Sequence, residues 1–136
     1  MSVLDKFSKK LRDSGLRPTK QRIKLCEVLF ERDKTFHFTV NDLKKIIDLQ
    51  TNKKISVATI YNTVHAFEKK GYLKQIPINS SQTYFDTNTT NHHHFYDLKA
   101  EKLIDLDNKD IGPINIQKSI PGKKIKSVEV LVKLED

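Results

Sequence analysis

The sequence contains a single cysteine, Cys26. That excludes an internal disulfide, and it excludes a zinc site built on several cysteines, so no four-cysteine structural zinc is expected. A reducing cytoplasm is the simplest setting for such a chain. No apolar run approaches the roughly 18 residues a membrane helix needs, so no membrane span is expected. The opening stretch MSVLDKFSKKLRDSG lacks an apolar core followed by a small-residue cleavage site, and no secretory signal is read there. Also missing are a paired acid/base motif, a nucleophile elbow and a phosphate loop. Their absence argues against an enzyme. No internal repeat is visible.

What is present is charge, unevenly spread. The 136 residues carry a net charge of +8. Residues 1–86 hold 17 Lys and Arg against 9 Asp and Glu, while residues 87–136 hold 8 of each. A basic part beside a neutral part suggests one region that meets a polyanion and another with a different task. The length suits one ordinary domain or two small ones.

Four helices are predicted. Residues 3–14 place Val3, Leu4, Phe7 and Leu11 at helical spacing, and Gly15 suits the C-terminal end. Pro18 and Thr19 open a second helix with Ile23, Cys26 and Phe30 on its stripe, thickened by Leu25 and Leu29. A third turns Val40, Leu43, Ile46 and Ile47 inward. The fourth has Ser56 as N-cap, Gly71 just past its end, and Val57, Ile60, Val64 and Phe67 inward.

After Gly71 the period changes. YLKQI and QTYFD flank the turn-rich PINSS, which reads as a β-hairpin. Helices followed by a two-stranded ribbon predict a winged helix-turn-helix. The polar TNTTN (residues 87–91) reads as a hinge. Beyond it lie three strand candidates: 93–98, 102–106 and 125–134. The segment 108–121 is open between a short helical turn and an irregular loop. The fold class is therefore α+β: a winged-helix DNA-binding domain over 1–86, a hinge over 87–91, and a small C-terminal α/β domain over 92–136. The second domain, with about 45 residues, is too small to bury a stable core alone. Pairing of two copies across a two-fold axis is expected, giving a homodimer. A dimer also reads two DNA half-sites at once.

With its apolar stripe turned inward, the fourth helix presents Ser56, Ala58, Thr59, Tyr61 and Asn62 outward. Small and hydroxyl side chains let a helix sit deep in the major groove. Ala, Thr and an aromatic ring contact thymine methyls, and Asn bonds adenine. No arginine is placed to read guanine, so the expected partner is double-stranded, A·T-rich DNA carrying an inverted repeat. Lys69 and Lys70 suit phosphates, as do Arg17, Lys20, Arg22 and Lys24.

The stretch NHHHFY holds three of the five histidines. Side chains alternate faces along a strand, so His92 and His94 point one way and His93 the other. Two imidazoles on one face suit one metal ion. Asp86, Asp105 and His37 are the further oxygen and nitrogen donors. Such a sulfur-free set suits Fe(II), Mn(II), Co(II) or Zn(II). Each member also has a plainer role: a turn cap for Asp86, an exposed strand residue for Asp105, a solvated side chain for His37. His65 is assigned no part.

GLRPTKQR, HFTVNDL, SVATIYNTVHAFEKKGYL, YFDT and HHHFY together resemble the ferric uptake regulator superfamily over nearly the whole chain. FDTNTTNHHHFY, then LIDL, then a shortened segment leading to SVEVLVKL, looks most like the iron response regulators of alphaproteobacteria. The resemblance implies a winged-helix domain, a C-terminal dimerisation domain and a regulatory metal site at the hinge, which maps to His37, Asp86, His92, His94 and Asp105. Tyr61 matches the family's recognition-helix tyrosine. It also implies, as that group's link between a triple histidine and haem, a haem site at His92, His93 and His94, flanked by Phe85, Phe95 and Tyr96. The function implied is a transcriptional regulator, mainly a repressor, of iron and haem homeostasis. The alternative is a peroxide-sensing repressor whose bound Fe(II) drives oxidation of its own histidine ligands; aspartates rather than glutamates at 86 and 105 keep that alternative open. The chain departs from many relatives in lacking paired CxxC cysteines. A second metal site common in the family needs an acidic residue where His93 stands, and is not expected. The Cys-Pro haem motif is absent too, since Glu27 follows Cys26.

Overall fold

Helices α1 (Val3–Asp13), α2 (Lys20–Phe30), α3 (Val40–Gln50) and α4 (Val57–Lys70) each begin at a hydroxyl cap. The caps are Ser2, Thr19, Thr39 and Ser56, whose side chains accept the backbone N–H groups of Asp5, Arg22, Asp42 and Thr59. Such a bond satisfies a donor that the first helical turn otherwise leaves open. At α3 it is reciprocal, with the Asp42 carboxylate accepting from Thr39 N–H at 3.0 Å. These positions come from a computed structural model, which describes residues 2–52 and 54–136.

The chain divides into two compact units, Met1–Thr89 and Thr90–Asp136. In the first, the helices close over a core that includes Leu11, Leu25, Leu43, Ile60, Val64 and Phe67. Cys26 lies fully buried within it. Helix α4 stops where Gly71 adopts φ 88°, a left-handed conformation that costs glycine little. Gly71 N–H then reaches Glu68 O, Tyr72 N–H reaches Phe67 O, and the Tyr72 ring meets Phe67 edge-on. This is the helix-ending motif of two backbone bonds and one apolar contact.

Two-stranded pairing of β2 (Lys74–Pro77) with β3 (Thr83–Asp86) forms the expected ribbon. A third strand, not expected from the sequence, is β1 (His37–Phe38), which pairs antiparallel with the other edge of β3. At two residues it is too short to show a period. Winged helix-turn-helix architecture follows, with α3 and α4 as the helix pair and β2–β3 as the wing.

The second unit is a three-stranded sheet in the order β5 (Lys102–Leu106), β4 (His93–Asp97), β6 (Leu131–Leu134). β4 and β5 are antiparallel; β4 and β6 are parallel. Their turn is shaped by Asp97, whose Oδ1 accepts the N–H groups of Lys99 and Ala100 at 3.0 Å. Between β5 and β6 lies one 3-10 turn, Asn108–Asp110, and then a run without regular secondary structure. The helical part expected of this domain reduces to that turn among the described residues.

Three sequence expectations need correction. Val3 and Leu4 are exposed, and burial on α1 starts at Phe7. Val57 is 46% exposed because burial on α4 begins one turn later, at Ile60. The last strand does not run from 125; it starts at Leu131, because β4 offers parallel partners only from His94 to Asp97. Alternating Val128, Val130 and Val132 signals strand preference but does not supply a neighbour.

Candidate metal centre

Strand register assembles the donors in pairs. In the second unit His94 lies opposite Asp105. His94 Nε2 is 3.4 Å from Asp105 Oδ1, and His92 Nε2 is 3.8 Å from the same oxygen. The two rings are 4.4 Å apart. His92 and His94 are buried; Asp105 is exposed. Two ligand atoms each about 2.1 Å from a tetrahedral ion are about 3.4 Å apart. His92, His94 and Asp105 each offer an atom within 4.8 Å of the others, so the donor set fits a divalent ion.

His92 is held for that role. Its Nδ1 lies 2.8 Å from Thr90 O. A carbonyl only accepts, so Nδ1 carries the proton and Nε2 keeps its lone pair. Imidazole ligands are commonly oriented in this way. His93 is held for another. Its Nδ1 accepts Val130 N–H at 3.0 Å, tying β4 to the residue before β6. His93 thus stands apart from His92 and His94, as strand alternation predicts.

In the first unit His37 lies opposite Asp86, and Lys74 lies opposite Asp86 on the other side. Asp86 is buried, His37 half-buried. Asp86 Oδ1 accepts Asn88 N–H at 2.8 Å, so the turn-capping role considered for it is real. Thr87 fastens this strand end to Phe36, donating its N–H to Phe36 O and accepting Phe36 N–H on Oγ1, each at 3.0 Å. The ring of His37 meets Tyr84 edge-on.

On α4, Ser56, Ala58, Tyr61 and Asn62 are exposed and Thr59 is half-buried. The Ser56 hydroxyl bonds Thr59 Oγ1 at 3.0 Å. Val57, assigned to the core by its spacing, lies exposed beside these residues and joins the outward set. Only its place in the first turn after the cap could have signalled this. Arg17, Lys20, Lys69 and Lys70 are exposed. His65 packs between Tyr61 and Phe85, a structural place consistent with leaving it out of the site.

Burial pushes the Cys26 thiol up to about 12, because an apolar surrounding disfavours the thiolate. A thiol so protonated is a poor nucleophile and a poor ligand. The one thiol in the chain thus stays out of the chemistry.

A winged helix followed by a small sheet with a histidine–aspartate donor set defines a metalloregulator. The family is shown by the sequence: residues 13–134 match the ferric uptake regulator family, and the chain belongs to it. By that description the family is one of regulators. The chain is 33% identical over 96 residues to the peroxide-responsive repressor PerR of Staphylococcus epidermidis, covering 71% of this chain and 62% of that one. It is 33% identical over 98 residues to the ferric uptake regulation protein of Vibrio parahaemolyticus, covering 71% of this chain and 64% of that one. The match thus spans less than two thirds of either relative's length. Among solved structures, the Vibrio cholerae ferric uptake regulator superposes with a TM-score of 0.68 at 21% identity, covering 95% of this chain and 98% of that one. At that identity the likeness is one of fold. No helix among the described residues is long and apolar enough to cross a membrane.

Proposed function

We propose that this chain is a metal-responsive, DNA-binding transcriptional repressor of the peroxide-sensing kind. It acts in the cytoplasm as a homodimer on A·T-rich inverted-repeat DNA. The observation that carries the reading is the sulfur-free donor set: two buried imidazoles and one carboxylate, with the His92 tautomer fixed by Thr90. Identity to peroxide-responsive repressors supports it. Iron and manganese accept such nitrogen and oxygen donors.

The full ligand set in this reading is His37, Asp86, His92, His94 and Asp105. Support for joining the first two to the last three comes from the family resemblance and from short tether length. Asp86 and His92 are six positions apart in the chain. One ion held by donors from both units favours whichever arrangement lets all of them reach it. Such differential binding is what a ligand switch requires. DNA is read by Ser56, Val57, Ala58, Thr59, Tyr61 and Asn62, with Arg17 and Lys20 on the backbone. Bound Fe(II) supplies the redox chemistry that turns peroxide on a coordinating imidazole.

Peptide mass spectrometry after Fe(II) loading and mild peroxide tests this. One added oxygen atom on His37 or His92 is expected; unchanged peptides overturn the peroxide reading.

An iron- or haem-responsive regulator is the second reading, supported by the run Asn91–Tyr96. With His93 Nδ1 engaged by Val130 N–H, His92 and His94 are the histidines that would hold a haem, which would supply the ligand-sensing chemistry. A hemin Soret band that survives replacement of both would sink it.

A further inference from the structure

Every residue from Gly112 to Ser127 is exposed. The run has no regular secondary structure, and among the described residues its internal backbone bond is Lys123 N–H to Ile120 O at 3.0 Å. Pro121 and Gly122, with φ 77° at Gly122, complete a turn of type II there. Yet this is not the composition of a solvated linker. Ile114, Ile116, Ile120 and Ile125 stand in water at 41%, 53%, 57% and 61% exposure. Two positions apart, Ile114 and Ile116 come to one side of the chain when it pairs as a strand. An isoleucine-bearing segment that pairs with no strand among the described residues is open to pairing with another chain.

The sheet of the same unit has an open row. Ile104, Phe95 and Val132 are register partners across β5, β4 and β6, so they point to one face. Ile104 is 45% exposed, and Phe95 and Val132 are half-buried. That row is on the face opposite to His94 and Asp105.

Charge is segregated between the two features. Residues 112–127 carry Lys118, Lys123, Lys124 and Lys126 and no acid. The rest of the unit, residues 90–111 and 128–136, carries eight acidic residues against four lysines. Arm and body are thus +4 and −4, and they complement each other.

We propose that residues 112–127 form an exchange arm that lies on the Ile104–Phe95–Val132 row of a second copy of this chain. The inference rests on the homodimer reading and gives it a surface. Drawn out, the nine residues 112–120 reach about 30 Å, ample to cross three strands about 4.8 Å apart. The acidic body beside the arm disfavours a nucleic acid as its occupant.

Cysteine crosslinking tests this cleanly, because the native Cys26 is buried. Full-length Ile116→Cys and Ile104→Cys proteins are mixed and oxidised. A mixed disulfide is expected, at least fivefold more than when Ile116→Cys is mixed with Lys133→Cys, which sits on the opposite face. Sedimentation of the Ile114→Asp, Ile116→Asp double variant should show dimer dissociation at least tenfold easier, with Mn(II) binding retained as proof of folding. If wild type sediments as a dimer while the crosslink is absent or no better than the control, the arm is wrong and the dimer stands. If wild type sediments as a monomer, both fail. If a DNA duplex, but not rising protein concentration, protects Ile116→Cys from alkylation, the arm meets nucleic acid and the proposal is overturned.

Discussion

His94 and Asp105 face each other across adjacent strands, with 3.4 Å between imidazole Nε2 and carboxylate Oδ1. Both are ordinary strand positions, so the pair is set by register alone. A one-residue slip would move Asp105 to the other face.

Replacing Asp105 with alanine should therefore weaken Mn(II) binding by more than tenfold, since even the loss of a residue that only orients a ligand costs about 10- to 100-fold. Titration calorimetry on the full chain reads this. Unchanged affinity would place the ion elsewhere.

His93 should behave in the opposite way. Its replacement by leucine removes the acceptor for Val130 N–H. Leaving a donor unsatisfied costs about 1–3 kcal/mol when it is buried, and the part-buried Val130 N–H should lie toward the lower end. Lower thermal stability with Mn(II) affinity within about twofold of wild type is the expected pair of results. A collapse in metal binding alone would make His93 a ligand.

On α4, Asn62→Ala should cost about 1–3 kcal/mol of binding to an A·T-rich duplex, if Asn62 reads adenine. Lys70→Ala should weaken all duplexes alike and lower the salt dependence by about one phosphate contact. Fluorescence anisotropy across a salt series separates the two. Equal loss on every sequence for Asn62→Ala would remove it from base reading.

Cys26 gives a pH prediction with a definite sign. Its folded thiol titrates at about 12, above the ordinary value of 9.0, because burial disfavours the thiolate. The folded state holds the proton more tightly, so the full stability is present below the ordinary value. It is lost as pH rises from there through the folded value. Urea unfolding at pH 8 and about pH 10.5 should show a fall that Cys26→Ala reduces, since each pH unit between the two values costs about 1.4 kcal/mol. An identical fall in the variant would assign the loss to other groups.

Much of this was legible in the chain. The Ser56 cap and the Pro18–Thr19 start announced their helices, and the change of period after Gly71 announced the wing. Alternation alone separated His93 from His92 and His94. What stayed hidden was set by neighbours rather than by local pattern. β1 is too short to show a period, so nothing local placed His37 opposite Asp86. Val57 fits the apolar stripe, yet no residue covers the first turn of α4 enough to bury it. Residues 125–130 alternate like a strand, but β4 is too short to receive them.

The sealed thiol of Cys26 has a consequence for time. Cells undo thiol oxidation with dithiol reductants, so a cysteine sensor can be reset. Here the sulfur is beyond reach, and an oxygen fixed to an imidazole carbon has no comparable route back. In the peroxide reading each molecule would report once, and recovery would follow the pace of new synthesis.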